Sequence, residues 1–311
     1  MVRPRKSPFS LRDFVRGSGT RKLTLVANMT NEDLCSAFDT LERLGALPRV
    51  HSMRVVLHSR DRTPRCLLCA VGARSLSGLR HLSLSDVSLH PDFKPHWSWF
   101  SALAGQLTSI ELCRTRSPSS VRLPVFPTLA FSRLRCLTFH RYGEHVLPLL
   151  VNGIFPSLTQ LHLGHAATCE APSRLMPSLR LLTMEAKNAD CSRLPFIFFK
   201  LAPKLDCVEF TSGNDYYKEH FLEHFEFAYK KATYDKALSH APSLRRVVLR
   251  GGTLTLRMSI LQKINHRREA LVLPPHLWDV ELENVQLVSD HEKAKKIRDA
   301  LRAPMDTIDG I

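Results

Sequence analysis

A short alternation of apolar and polar residues recurs along most of the chain. In its fullest form it reads Leu-x-x-Leu-x-Leu, and Ile, Val, Met or Phe replaces Leu in some copies. An alternation with a period of two predicts a short β-strand that buries one face. Ten copies follow one another at spacings of 21 to 39 residues, and their middle apolar positions are Leu23, Met53, Leu82, Ile110, Leu137, Leu161, Leu182, Val208, Val247 and Val280.

Several segments between the copies carry the spacing of an amphipathic helix. Residues 31–44 place Leu34, Phe38 and Leu41 on one stripe, and Gly45 follows as a stop signal. Shorter helices are predicted over residues 144–151 and 190–201, whereas the proline-containing segment 114–131 is predicted to cross without a regular helix. The sequence therefore predicts an α/β fold, a solenoid with a parallel concave sheet and with helices and irregular segments on its convex side.

The repeat pattern resembles that of leucine-rich-repeat proteins in their irregular, ribonuclease-inhibitor-like form. The likeness covers residues 21–287, and the Pro-Ser-Leu triplets at 156–158, 177–179 and 242–244 resemble in particular fungal F-box-associated leucine-rich-repeat proteins. This resemblance implies a substrate-recognition subunit of a ubiquitin ligase, in which an F-box binds the ligase adaptor. An F-box resembles a Leu-Pro-x-Glu-Leu start followed by two helices, and residues 1–45 contain no such motif.

The residues between the buried leucines point out of the sheet in this fold. Any one of them is more often a solvated position than a ligand contact, but a curved repeat array exposes an extended surface that suits an unidentified protein or peptide. The predicted partner-binding residues are His81, Ser83, Ser85, Glu111, Cys113, Thr138, His140, Gln160, His162, Thr183, Glu185, Glu209, Arg246 and Arg250.

The two ends and one insertion depart from the repeat. Residues 1–20 are predicted to be a disordered basic tail, which serves either as a targeting or nucleic-acid-contacting arm or simply as a solubilising segment. A helical insertion rich in aromatic residues is predicted near 214–238, with its aromatic stripe packed on the core. Residues 288–311 are predicted to form a capping helix and tail, because Ser289 and Glu292 have the spacing of a capping box.

Charge adds a second functional hypothesis. The 44 Lys and Arg residues exceed the 29 Asp and Glu residues, so the formal net charge is +15. Hydrophobic residues make up 44% of the chain, which excludes a wholly disordered protein. Because of the excess positive charge, the alternative function is binding of RNA or DNA. Arginines also recur just before the strands, where they form either a track for acidic partners and phosphates or a solvated rim, at Arg80, Arg135, Arg180 and Arg245.

No enzyme motif is present in the sequence. The chain lacks the glycine-rich phosphate loops, the G-x-S-x-G nucleophile motif and the H-E-x-x-H zinc motif, so we predict no catalytic residue and no cofactor. Cys66 and Cys69 form a single C-x-x-C pair, and a four-ligand zinc site needs a second pair, so no metal is predicted.

The apolar runs are too short for a membrane protein. A membrane span needs about 20 nearly continuous apolar residues, and the chain has no such run. Its basic N-terminus is not followed by an apolar stretch of signal-peptide length. We therefore expect no membrane association and an intracellular location, cytoplasmic, nuclear or both.

Overall fold

The computed structural model describes the repeat region with gaps between the strands. The described residues are 15–29, 31–57, 76–85, 101–113, 128–140, 147–166, 174–186, 194–212, 218, 221, 243–254 and 279–287. The helices with defined bounds are α1 (Asn31–Arg43), α2 (Leu147–Asn152) and α3 (Leu194–Leu201), together with a 3-10 turn at Leu47–Arg49, and residues 15–17 and 101–104 are also helical. The strands are β1 (Leu23–Met29), β2 (Val50–Leu57), β3 (His81–Ser85), β4 (Ser109–Cys113), β5 (Cys136–His140), β6 (Gln160–Ala166), β7 (Leu181–Ala186), β8 (Cys207–Thr211), β9 (Arg246–Arg250), β10 (Thr253–Leu254), β11 (Asp279–Glu283) and β12 (Gln286–Leu287).

Ten of these strands form one sheet in chain order. The order is β1 to β9 followed by β11, and every neighbouring pair is parallel. The short strands β10 and β12 pair in a separate two-stranded sheet. The predicted α/β fold with one long parallel sheet is therefore confirmed.

The register of the sheet follows the sequence repeat from the second copy onward. The middle apolar positions from Met53 to Val280 lie side by side on adjacent strands. In the first copy the predicted position is wrong, since Met53 pairs with Leu25 and not with Leu23. The pairing shifts just after Leu23, which lies opposite Val50. Leu23, Leu25 and Ala27 share one alternation, so the pattern alone does not show which of them is aligned.

A single apolar core lies against one face of the sheet. Inward-facing strand residues such as Leu137 and Phe139 belong to the same buried cluster as Phe38 of α1, Leu149 of α2 and Phe198 of α3. The helices therefore cover the buried face. The opposite face of the sheet carries side chains that are mostly half-buried, and strands β3, β4, β5 and β7 alternate strictly between the two environments.

Tight turns lead into five of the strands. In each turn the fourth residue donates its backbone N–H to the carbonyl of the first, as Leu158 does to Phe155 and Leu179 does to Met176. Proline suits the second position because the turn needs its φ and no N–H there. Neighbouring turns are joined, since the Ser178 hydroxyl donates to the Pro156 carbonyl at 2.7 Å. This explains the Pro-Ser-Leu triplets at 156–158 and 177–179.

The observed helices begin at or after the predicted residues. The predicted helix over 31–44 corresponds to α1, while those predicted over 144–151 and 190–201 appear as α2 and α3, which start three and four residues later. Of the predicted insertion near 214–238, the structure describes only Lys218 and Phe221, both helical. Phe221 is buried and stacks on Phe210 of β8 with ring centroids 4.5 Å apart.

The described part of the predicted tail packs against the repeat region. Val15 is buried in the core, and the Ser18 hydroxyl donates to the Val15 carbonyl. Arg49 in turn donates to the Ser18 hydroxyl and to the Arg21 carbonyl. Val15 and Ser18, which lie within the tail predicted over residues 1–20, thus contact the repeat region. Residues 1–14 of that tail and the predicted C-terminal helix, 288–311, lie outside the described residues.

Candidate functional site

The predicted partner-binding residues all lie on the polar face of the sheet, which we define as the outward positions of β3 to β9 and β11. Strand pairing places them in three rows that run across the strands. The first row begins with His81, the second with Ser83 and the third with Ser85. The second row is continuous through Glu111, Thr138, His162, Thr183 and Glu209.

A cluster of histidine and glutamate side chains occupies the middle of the polar face. We call Glu111, His140, His162 and Glu185 the His–Glu cluster. His140 Nε2 lies 3.5 Å from Glu111 Oε1, and His162 Nε2 lies 3.8 Å from Glu185 Oε1. The two imidazole rings are tilted against each other with centroids 4.9 Å apart. Residues from four successive strands therefore form one connected group.

A bulge in β6 shapes this cluster. Leu163 pairs with Met184 and Ala166 pairs with Ala186, so β6 carries one residue more than β7 between these points. Gly164 lies in the bulge, and a Cβ there would come within 3.3 Å of Glu185 Oε2 and 2.9 Å of the Phe139 carbonyl oxygen. The missing side chain leaves the space in which Glu185 approaches β6.

His162 is held in an environment that disfavours its charged form. Its Nε2 atom is buried and has no hydrogen-bond partner among the described residues. Burial lowers the pKa of His162, and the adjacent His140 lowers it further, whereas Glu185 and Glu209 act in the opposite direction. Burial and the adjacent His140 therefore favour the neutral form of this imidazole.

A second cluster, of alternating charge, lies at the β8–β9–β11 end of the polar face. We call Glu209, Arg246, Arg250, Glu281 and Glu283 the Arg–Glu cluster. Arg246 donates to both carboxylate oxygens of Glu281, at 2.7 and 2.5 Å. Arg250 lies 3.1 Å from Glu209 and 3.3 Å from Glu283. The hydrogen bonds from Arg246 lower the pKa of Glu281, and the same pair raises the pKa of Arg246.

The polar face differs in charge from the rest of the protein. From β3 to β8 its outward positions include Glu111, Glu185 and Glu209 and contain no Lys or Arg. Arg246 and Arg250 on β9 are countered by the neighbouring glutamates. In a chain of net charge +15, this face is a local exception.

The recurrent arginines lie together at the edge of the sheet where the strands begin. We call Arg80, Arg135, Arg180 and Arg245 the arginine edge. Their backbones belong to one hydrogen-bond ladder, in which the carbonyl of the residue before each strand accepts two N–H groups from the next repeat, as the Arg135 carbonyl does from Thr159 and Gln160. Arg135, Arg180 and Arg245 are exposed. The four residues of the arginine edge were predicted from their recurrence at the same position of the sequence repeat.

The pairings within these groups were not visible in the sequence. The predicted residues Arg250 and Glu209 are 41 positions apart, yet they form an ion pair on adjacent strands. Glu281 and Glu283, which complete the Arg–Glu cluster, were outside the predicted set. Arg133 was also missed, and the tight turn before β5 places it near Arg135 of the arginine edge.

The cysteines do not assemble into a metal site within the described ranges. Cys35, Cys113, Cys136 and Cys207 form no disulfide with one another, and no group of three His, Cys, Asp or Glu side chains in the described ranges is placed to hold a metal ion. Burial raises the pKa of the Cys207 thiol to about 11. The predicted C-x-x-C pair, Cys66 and Cys69, lies outside the described residues.

No helix within the described residues is both long and apolar enough to cross a bilayer.

Sequence comparison with known proteins adds no family to this description. No model of a known protein family matches the chain, and no curated protein matches it in sequence.

Proposed function

We propose that this protein is a non-enzymatic recognition module, a leucine-rich-repeat solenoid that binds another protein or a peptide on the concave side of its sheet. The proposal is supported by the repeat spacing in the sequence and by the agreement of nine of its ten marker positions with strand register. Helices lie on the buried face, which leaves the polar face as the side open to a partner.

The observation that carries the proposal is that the side chains of the polar face are held in fixed positions. Its side chains project from paired strands about 4.8 Å apart, and contacts such as His140–Glu111 and Arg250–Glu209 hold them in place. A partner that docks there meets side chains that are already positioned, so these side chains lose little conformational entropy on binding. The glutamates of β4, β7 and β8 favour a partner that presents Lys or Arg to them.

Substitutions on the polar face test this proposal. Glu111→Lys, Thr138→Arg and His162→Glu add bulk or reverse charge at outward positions of β4, β5 and β6. Each variant is immobilised and used to capture partners that the parent protein captures from lysate. We expect capture to be lost while the circular-dichroism spectrum and melting temperature stay close to those of the parent.

The matched controls lie off the polar face. Arg180→Gln changes charge at the arginine edge, and deletion of residues 1–14 removes basic residues without touching the buried Val15. We expect both controls to retain capture at physiological salt. Loss of capture on deletion of 1–14, with the polar-face variants unaffected, would move the binding site to the N-terminal segment.

The resemblance to F-box-associated proteins suggests a more specific form of the proposal. In this form the module is the substrate-binding part of a ubiquitin-ligase receptor, with its adaptor contact absent or divergent. Affinity capture with the parent protein tests the connection, because a retained contact recovers the ligase adaptor. Recovery of other partners without the adaptor in repeated captures would leave a general interaction scaffold.

A second candidate function, binding of RNA or DNA, is favoured by the arginine edge. Exposed arginines recur there on alternate strands from β5 to β9, and the net charge is +15. Such binding weakens steeply with salt because neutralised phosphates release counterions. Filter binding of labelled RNA and DNA at about 50 mM salt should show retention that falls as salt rises, and absence of retention at the lowest salt would exclude this function.

A further inference from the structure

A groove lies at the edge of the sheet where strands β3 to β6 begin. We call it the edge groove; it encloses about 590 Å³ and adjoins the polar face. Two arginines, one histidine and several hydroxyl groups line it, and none of its lining residues is Asp or Glu. The side chains used in the argument below are His81, Ser109, Ser132, Arg133, Arg135 and Ser157.

The backbones that carry the two arginines are fixed. Arg133 lies in the tight turn in which the Leu134 N–H donates to the Phe131 carbonyl. The Ser157 hydroxyl of the next turn donates to the Ser132 carbonyl beside it, at 2.7 Å. The Arg135 carbonyl accepts two backbone N–H groups and the hydroxyl of Thr159. Arg133 and Arg135 therefore line one groove from anchored backbone positions.

These two arginines differ from others at the same edge. Arg80 donates to the carbonyls of Ser77 and Leu79, and Arg245 lies 4.0 Å from Asp206. Among the described residues, neither Arg133 nor Arg135 has a carboxylate or carbonyl partner. The edge groove thus holds two positive charges that no described protein group neutralises.

We infer that the edge groove binds a phosphorylated side chain of a peptide, with Arg133 and Arg135 as its phosphate ligands. A phosphate monoester carries close to two negative charges and three acceptor oxygens at pH 7. Two planar guanidinium forks match that set of acceptors, whereas a single carboxylate is satisfied by one fork. The hydroxyls of Ser109 and Ser132 and the ring of His81 add donors around the same space.

The lining favours a peptide over a nucleic acid. Proteins that bind single-stranded nucleic acid stack its bases on aromatic side chains along a basic groove. The edge groove is lined by no Phe, Tyr or Trp among the described residues. Its ligand is thus held through phosphate and hydroxyl contacts. This site goes beyond the proposed function, because it takes an anion at the edge while the polar face favours a cationic partner.

A degenerate synthetic peptide library with one fixed phosphoserine provides the test. The full-length protein is immobilised, and retention of this library is compared with that of the same library after phosphatase treatment and with a version that carries Glu in place of phosphoserine. We expect retention of the phosphorylated library alone. The variant R133Q/R135Q should lose about tenfold in affinity for each arginine removed, and inorganic phosphate should compete only weakly, because it lacks the peptide.

The matched control is R180Q/R245Q, which removes the same charge from the same edge outside the groove. It should retain the phosphorylated library, and a thermal melt of both double variants should be close to that of the parent. Equal losses in the two double variants, equal retention of the Glu library, or complete displacement by inorganic phosphate would each overturn the inference. So would stronger retention of a single-stranded RNA oligomer than of the peptides. The polar-face variant Glu111→Lys should leave peptide retention unchanged, so failure here is separable from failure of the proposed function.

Discussion

Gly78 lies closer to a neighbouring backbone than any other glycine that the structure describes. It lies in the turn before β3, and a Cβ built there would come within 2.0 Å of the Pro48 carbonyl oxygen and 3.2 Å of the Val50 carbonyl oxygen. Both contacts are backbone atoms, so the neighbouring chain must move to admit a methyl group. The glycine is needed for close approach between repeats and not for a positive φ.

The substitution Gly78→Ala should lower the free energy of unfolding by about 2 kcal/mol, in the range of overpacked sites. Gly105→Ala is the matched control, because nothing lies within 4 Å of a Cβ at that position, and its change should stay within about 0.5 kcal/mol. Urea denaturation of the two variants and the parent measures both values. Equal effects at the two positions would show that the contact at Gly78 relaxes without cost.

His162 links the stability of the fold to pH. Its pKa is lowered in the folded state, chiefly by burial and then by His140, whereas Glu185 and Glu209 partly raise it. The unfolded chain therefore binds a proton at higher pH than the folded protein does. Stability that the neutral imidazole permits at pH 7 is lost as the pH falls through about 6.5, the ordinary histidine value, and the loss is complete below the lowered pKa.

The variant His162→Gln removes this titration. The difference in unfolding free energy between the parent and the variant should shift in favour of the variant as the pH is lowered from 7 to 5. Denaturant midpoints measured across that range give the difference directly. A difference that stays constant would mean that His162 titrates equally in the folded and unfolded states.

Among the elements, strand β11 depends on the Arg–Glu cluster as well as on backbone pairing. Arg250 contacts Glu209 on β8 and Glu283 on β11, and it therefore connects three neighbouring strands. The side chain of Glu209 is only 16% exposed, so water replaces a lost cation poorly there. Arg245 and Asp206, at 76% and 56% exposure, form a much looser pair at 4.0 Å.

Arg250→Met should reduce the unfolding free energy by about 1 kcal/mol, the upper range for pairs that are partly exposed. The matched variant Arg245→Met should change it by less than about 0.5 kcal/mol. Thermal and urea denaturation of both proteins provide the comparison, repeated at high salt to screen the charges. A larger effect for Arg245→Met would show that the loose pair, and not the connected cluster, stabilises this end of the sheet.

The positions of strands and helices were predicted best where a single local pattern of apolar residues specified them. The strand positions followed from alternation, and α1 followed from the stripe that contains Leu34 and Phe38. The short helices α2 and α3 begin later than predicted, at Leu147 and Leu194. A helix of six to eight residues obtains most of its stability from packing, so its sequence specifies its ends weakly.

At the scale of the whole molecule, the described strands of the long sheet follow chain order, so each inner strand pairs with the preceding and the following strand of that sheet, and β9 pairs with β11 because β10 belongs to the two-stranded sheet. Such an arrangement has stability that is approximately a sum of repeat and neighbour terms, and its ends open more easily than its middle. Strand β11 has one neighbour among the described strands of the sheet, and its Leu282 is only partly buried. The inner strands, by contrast, bury residues such as Leu137 and Leu161 almost completely.

Hydrogen–deuterium exchange should therefore show a gradient along the sheet. Amides of β4 to β7 should exchange slowest. Among the strands of the long sheet from β4 to β11, the amides of β11 should exchange fastest. Mass spectrometry of peptides that cover each strand gives the protection of each element. Uniform protection from β4 to β11 would indicate one cooperative unit and would contradict the additive description.

The sequence by itself determined the strands, their order and the residues on the polar face, because a period of two is encoded locally by alternating apolar and polar side chains. Tertiary structure alone decided which of those residues meet. The spacings vary from 21 to 39 residues, so no local pattern specifies that His140 contacts Glu111 or that Arg250 contacts Glu209. The shift at Leu23, the bulge at Gly164 and the edge groove likewise arise from packing between repeats of unequal length, since each depends on the neighbouring repeat's backbone.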